Sequence, residues 1–244
     1  DSGPKPVRAF DLGGEDRVRG LVSAEDVAAG VGCAPMGVYL FDKDFLLTML
    51  DSAEAVLAAD QVSVAEAVAT LAGDTDVCVY RFGGERGRVF PDRYWNDLRS
   101  LDDYYNANMA LLEHDPPLNL YQQDWNIFTA QAQNPPARTV PGLSGTEGIF
   151  VNSMLAAGTV VSGGGVNHSI LFPRVRVMDG AIVEDAILFN GVTVGERAHL
   201  RRCIIDKEVE VPPDTAIGIN PAADRARFHI SAGGLVVIPK GYKF

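Results

Sequence analysis

The chain has 244 residues, 47% hydrophobic and 22% charged, the balance of a folded protein rather than a disordered tract. That length allows one large domain or two modest ones. A formal net charge of −11 argues against a nucleic-acid partner, because such a surface repels phosphate backbones, yet it leaves room for a local cationic pocket. No apolar run approaches the ~20 residues of a membrane-spanning helix, so no membrane association is expected. Cys33, Cys78 and Cys203 are widely spaced and include no CxxC pair. They point to a reducing, cytoplasmic setting with neither a disulfide framework nor a zinc site. The opening Asp1-Ser2-Gly3-Pro4 shows no basic and apolar leader of an export signal.

In chain order, residues 1–113 alternate strand-like and helix-like patterns, which argues for an α/β layer arrangement. Gly37 to Phe41 reads as a buried strand. Asp42 then opens a helix through Phe45, Leu46, Met49 and Leu50, one face at the 3.6-residue period. Ser63 to Leu71 reads as a second helix and Val77 to Phe82 as a second strand. Ser100 with Asp103 has the form of a capping box, opening a helix through Tyr104, Ala107, Met109 and Leu112. Residues 114–147 carry the proline pairs Pro116-Pro117 and Pro135-Pro136, which exclude regular helix. They are expected to form an ordered linker, since Leu120, Tyr121, Trp125, Ile127 and Phe128 need somewhere to pack.

Residues 148–244 hold the strongest signal, an internal repeat. Gly164–Gly180, Ala181–Arg197 and Ala198–Asp214 align without a gap at a spacing of 17 residues. Val166, Val183 and Leu200 superpose, as do Ile170, Ile187 and Ile204. Val175, Val192 and Val209 form another row, and Val177, Val194 and Val211 a fourth. Ser169, Ala186 and Cys203 share a small position. Aliphatics at six-residue intervals are what a coil of short strands requires, with one inward side chain per strand stacking about 4.8 Å above its equivalent. An antiparallel sandwich does not produce gapless periodicity of this kind.

Several segments, in order, resemble the bacterial glucose-1-phosphate adenylyltransferases (ADP-glucose pyrophosphorylases). Pro35-Met36-Gly37-Val38-Tyr39 is similar to the family's S-M-G-I-Y strand, and Tyr94-Trp95-Asn96-Asp97 to its Y-W-x-D motif. Leu118 to Ala137 resembles the linker between the family's catalytic domain and β-helix, and Ala223 to Lys240 resembles its C-terminal tail. The resemblance implies an α/β remnant of a nucleotide-sugar transferase domain (1–113), a linker (114–147), and a left-handed parallel β-helix of hexapeptide repeats with a tail (148–244). It implies a reaction of ATP with glucose 1-phosphate to give ADP-glucose and pyrophosphate, for glycogen synthesis. Such chemistry uses Mg²⁺ to neutralise charge and cationic groups to position phosphates. The resemblance also implies homo- or hetero-oligomers and an anionic effector of sugar-phosphate or phosphoglycerate type.

Departures from the family pattern are as informative. No Gly-rich nucleotide loop is present, Ser23-Ala24-Glu25 stands where a Glu-Lys-Pro motif is expected, and Pro35 stands where a serine is. Leu98-Arg99-Ser100 replaces V-G-T. The chain alone is therefore expected to be inactive, lacking the nucleotide-binding half, with a non-catalytic regulatory or assembly subunit as the alternative. A hexapeptide acyltransferase fits less well, because the α/β segment and Tyr94-Trp95-Asn96-Asp97 precede the coils. The resemblance marks Asp97 as the catalytic and Mg²⁺-binding carboxylate, and Trp95, Met36 and Gly37 as substrate-binding. It marks Arg201, Arg202, Lys207, Arg225, Arg227 and Lys240 as effector-binding, guanidinium forks suiting phosphate. His168 and His199 read as turn or surface residues, and Cys203 as a packing residue.

Overall fold

The computed structural model describes residues 36–48, 94–123 and 132–244. The chain divides into two compact units, residues 1–95 and 96–244. In the first unit, residues 43–48 are helical, and Asp42 caps them as its sequence position requires. Its carboxylate accepts from the backbone amides of Asp44 and Phe45 at 3.0 and 3.1 Å. The strand expected at residues 37–41 does not form. Gly37 sits at φ +73°, in the left-handed region that interrupts an extended run, and Val38 and Leu40 are exposed rather than buried. The helix and strand expected at 63–71 and 77–82 lie outside the described residues, as do Met49 and Leu50.

The second unit is a parallel β-solenoid of about four turns. One sheet stacks β1 (Arg138–Val140), β4 (Val160–Ser162), β7 (Arg176–Val177), β9 (Thr193–Val194) and β11 (Glu210–Val211) in that order. The other sheet folds around a corner and so supplies the two remaining faces. Its first face runs through β2 (Ile149–Val151) and β5 (Gly165–Asn167) into the front halves of β8 (Ile182–Leu188) and β10 (His199–Ile205), and ends on β12 (Ala216–Ile217). Its second face takes β3 (Met154–Leu155), β6 (Ile170–Leu171), the rear halves of β8 and β10, and then β14 (Val236–Ile238).

The backbone explains the period. Each turn must bend at three corners, and the same corners recur in the left-handed region. One column is His168, Asp185 and Arg202 (φ 44°, 49° and 46°). A second is Gly158, Arg174, Gly191 and Glu208, and a third is Gly163, Gly180, Arg197 and Asp214, all with positive φ. Strand pairing bears out the predicted register: Val166 lies on Val183, Val183 on Leu200, Ile187 on Ile204, and Val177 on Val194. The repeat also continues upstream, where Ile149 pairs with Gly165 and Met154 with Ile170. That coil is one residue shorter, which hides it from a gapless comparison. Strand pairing begins earlier still, at Arg138 on Val160.

Two apolar layers result. Val166, Leu171, Val175, Val177 and their equivalents fill the inside of the coil, and the small positions Ser169, Ala186 and Cys203 are fully buried. Ile170, Ile187 and Ile204 instead face outward and join Leu235 and a helix, α1 (Leu101–Met109), through Tyr105 and Met109. The alternation of a strand forces this: Leu171, Leu188 and Ile205 point in, so their neighbours point out. The Ser100 hydroxyl accepts from the Asp103 amide at 3.0 Å, the N-cap its sequence announces. Tyr105, Met109 and Leu112 form the buried stripe of α1 and the 3₁₀ turn after it. The Tyr105 hydroxyl donates to the Asp185 carbonyl at 2.7 Å, and burial, then the Asp185 charge, pushes it up to about 12.

Beyond β12, Asn220 caps α2 (Pro221–Arg227), accepting from the Ala222 and Ala223 amides. The chain then returns as β13 (His229–Ile230), antiparallel to β14, which extends the sheet beside β10. Phe244 packs edge to face against Phe228 and Tyr242, which tilt against each other, at the end of this tail.

Candidate functional site

Asp97, expected to be catalytic and to hold Mg²⁺, precedes α1 and is paired with the Arg99 guanidinium. No group of three His, Cys, Asp or Glu side chains able to hold a metal exists among the described residues. A lone carboxylate suits only a cation that brings its other ligands with it, as Mg²⁺ does when it travels with phosphates and water. Trp95 is 39% exposed, so it is not a core residue. Met36 is half-buried, and Gly37 has open space where a side chain would project. Trp95, Met36 and Gly37 fall in the first compact unit and Asp97 in the second.

The six predicted effector cations do not gather in one place. Lys207 and Lys240 are brought together because β14 pairs with β10, matching Ile205 to Ile238. Both backbone amides donate to the Asp206 carboxylate, at 2.7 and 3.3 Å. Burial raises the Asp206 carboxyl, but those amides and the Lys207 ammonium outweigh it and hold it below the ordinary range. The Lys240 ammonium lies 3.7 Å from Glu208, and the Lys207 ammonium 5.3 Å over the Phe189 ring. Arg227 stacks on Phe228 and Phe244 in the tail, while Arg225 is exposed on the same short helix. Arg202 donates to the Gly233 carbonyl at 3.1 Å, and its neighbour Arg201 stands in register with Glu184 on β8.

The two repeat histidines occupy surface positions, as the sequence suggests. His168 is a corner residue whose Nδ1 is 2.7 Å from Asp185, and His199 Nε2 is 3.2 Å from Glu184. Cys203 is fully buried, and desolvation pushes its thiol up to about 12.

The structure also forms a cleft that the sequence reading passes over. It measures about 620 Å³ and is lined by Asn134, Pro135, Pro136, Gly158 and Val160, with Arg138, Arg174 and Arg176. Two arginines stand on the strand face and one on the adjacent corner. The signal was there in part: Arg174-Val175-Arg176 sets two exposed cations on either side of a fully buried valine. Arg138 was hidden, because only the β1–β4 pairing brings the proline segment onto the solenoid.

Turns of this length, with stacked small and aliphatic positions, define the hexapeptide-repeat β-helix proteins. Residues 135–238 match the family of GlmU-like C-terminal hexapeptide domains, whose repeats assign this solenoid to the left-handed β-helices. The chain is homologous to glucose-1-phosphate adenylyltransferases over their C-terminal region. Glucose-1-phosphate adenylyltransferase 2 of Vibrio cholerae is 46% identical over 211 residues, which is 86% of this chain and 52% of that protein. The glucose-1-phosphate adenylyltransferase of Anaeromyxobacter sp. is 38% identical over 250 residues, covering 96% of this chain and 60% of the relative. That of Methylococcus capsulatus is 34% identical over 240 residues, covering 96% and 56%. The chain thus spans between half and three-fifths of the length of these relatives.

Proposed function

We propose that these residues form the regulatory and assembly end of a cytoplasmic glucose-1-phosphate adenylyltransferase, an enzyme joining ATP and glucose 1-phosphate into ADP-glucose with release of pyrophosphate. The 46% identity to the Vibrio cholerae enzyme across 86% of the chain carries this reading. In that reaction the sugar phosphate attacks the α-phosphorus in line, and Mg²⁺, when bound, offsets the charge that develops on the phosphates. Asp97 would supply one oxygen ligand, exchanging its Arg99 partner for the cation. Trp95, Met36 and Gly37 are the residues proposed to meet the sugar. Of the six cations, Lys207 and Lys240, whose backbone amides share the Asp206 carboxylate, are the two assigned first to an anionic effector. Open strand edges at the ends of the solenoid favour an oligomer.

Pyrophosphate release from ATP and glucose 1-phosphate, measured on the natural gene product that contains these residues, tests the assignment. Release that requires both substrates and Mg²⁺ is expected. Its absence at every concentration of 3-phosphoglycerate and fructose bisphosphate would overturn the catalytic reading. For the effector site, Lys240→Ala and Arg225→Ala are each expected to shift the effector titration to higher concentration, and unchanged curves in both would refute that assignment.

A further inference from the structure

We propose that the cleft bounded by Arg138, Arg174 and Arg176 is a binding site for a phosphate-bearing small molecule, distinct from the Lys207–Lys240 place. The strand register fixes its shape. Arg138 lies on Val160 and Val160 on Arg176, so the two arginines stand on one outward column. Two rungs separate them, about 10 Å, with Val160 as the floor between. That span admits one phosphate group with a guanidinium fork on either side.

Arg174 closes the cleft from the corner, and its surroundings leave its charge uncompensated. Stacked corner residues of a solenoid lie one above another, and elsewhere this protein uses that to pair charges. Arg197 forms a two-bond fork with Asp214 on the next rung, both at 2.8 Å, and His168 meets Asp185 in the same way. Above and below Arg174 the column instead holds Gly158 and Gly191, which carry no side chain. Gly158 is also the cleft wall: a Cβ there would lie 3.2 Å from Arg174 Cγ and 3.4 Å from Asn134 Cβ, narrowing the opening. Glu208, the nearest carboxylate along that column, lies two rungs from Arg174 and is taken by Lys240. Glu210 lies two rungs from Arg176, beyond Thr193. None of the three arginines forms an ion pair with another described residue, although acidic side chains outnumber basic ones by 32 to 21 in the chain. Three like charges gathered in a concave surface without a counter-ion are held apart at a cost that a polyvalent oxyanion removes.

The test is titration of the ¹⁵N-labelled chain with inorganic phosphate at constant ionic strength, following the arginine Nε–Hε resonances. Saturable shifts are expected in three arginine signals that are absent from the Arg138→Ala, Arg174→Ala and Arg176→Ala spectra. The exposed positions let these variants fold, which their backbone spectra check. Arg138→Ala/Arg176→Ala is expected to weaken phosphate binding at least tenfold, on the scale of lost charge-assisted hydrogen bonds, roughly. Arg197→Ala, which removes the same kind of charge from another corner, is expected to leave that affinity within about twofold. Binding that survives the double arginine variant, or that falls equally in Arg197→Ala, would overturn the site. So would absence of saturable shifts in the natural sequence, or shifts that track self-association of the chain and not phosphate. Because the catalytic and effector readings are tested by pyrophosphate release and by Lys240→Ala, their failure leaves this result untouched.

Discussion

If α1 is held on the solenoid by the outward isoleucine ladder, the central rung should be its most sensitive point. Ile187 is fully buried, flanked by Ile170 and Ile204 and covered by Tyr105 and Met109. Ile187→Ala removes three carbon groups, about 2.4 kcal/mol of transfer free energy at ~0.8 per group. The hydrogen-bonded rungs on either side cannot collapse inward, so a residual cavity adds about 1 kcal/mol. The expected loss is therefore about 3–4 kcal/mol. Ile182, on the same strand but 45% exposed, is the internal control, and Ile182→Ala is expected to cost under about 1 kcal/mol. Denaturant unfolding followed by circular dichroism gives both values. Hydrogen exchange of the α1 amides should accelerate in Ile187→Ala alone, because only that change loosens the helix seat. A double-mutant cycle with Met109→Ala is expected to show coupling of at least about 0.5 kcal/mol. Equal costs for the two isoleucines, together with an additive cycle, would refute the packing argument.

Three further outcomes follow from particular contacts. Gly218 sits at φ +75°, and a Cβ there would fall 1.7 Å from the Arg201 carbonyl oxygen, so Gly218→Ala must displace β12 from β10. A loss of more than about 2 kcal/mol in the same unfolding assay is expected, and a neutral substitution would contradict the geometry. The Cys203 thiol, buried and pushed up to about 12, should resist maleimide in the folded protein at pH 8 and react only on unfolding, read by mass spectrometry of its peptide. Asp179 and Asp214 are held below the ordinary carboxylate range, the first by the Ser144 amide and hydroxyl, the second by the Arg197 guanidinium. A lowered folded-state value gives stability that is present above the unfolded value of about 3.9 and is lost as pH falls through the folded one. Acid titration of stability should therefore be shallower in Ser144→Ala/Arg197→Ala than in the natural sequence, and parallel curves would sink the assignment.

The solenoid was legible because its physics is periodic. Val183, Ile187 and Val194 each pair with an equivalent 17 residues away, and that spacing survives in one dimension. The orientation of the rows was not legible. Ile187 and Leu188 are adjacent aliphatics, and nothing local says which one faces the coil interior until α1 is seen covering the other. The Asp42 and Ser100 caps were readable because capping is a local contact between residues two or three apart. The strand expected at Gly37–Phe41 failed for the converse reason, since hydrophobic content states that a segment seeks burial but supplies no partner strand. Of the site residues, the sequence marked cations by type. Only the β10–β14 pairing could show that Lys207 and Lys240 meet while Arg227 is spent on Phe228 and Phe244.

A stacked coil imposes a rule on charges that a globular domain does not. Every surface residue has a fixed neighbour about 4.8 Å away on the next rung, so like charges in one column repel and opposite charges pair without further design. The columns of this protein supply such pairs, with Asp185 next to His168 and Arg197 next to Asp214 on adjoining rungs. Where a column departs from it, the charge is left to solvent or to a ligand. Arg138, Val160 and Arg176 form such a column, and Arg174 beside them stands between two glycines. Placing a carboxylate at Gly191 would set it between Arg174 and Glu208, offering Arg174 a partner while adding a like-charge contact with Glu208, in a left-handed corner where Arg174 and Glu208 show that a side chain is tolerated. Gly191→Asp should accordingly change the stability of the phosphate-free protein by under about 1 kcal/mol, the two contacts opposing each other, while lowering its affinity for inorganic phosphate about tenfold. A variant with phosphate affinity intact would mean that Arg174 takes no part in holding the ion.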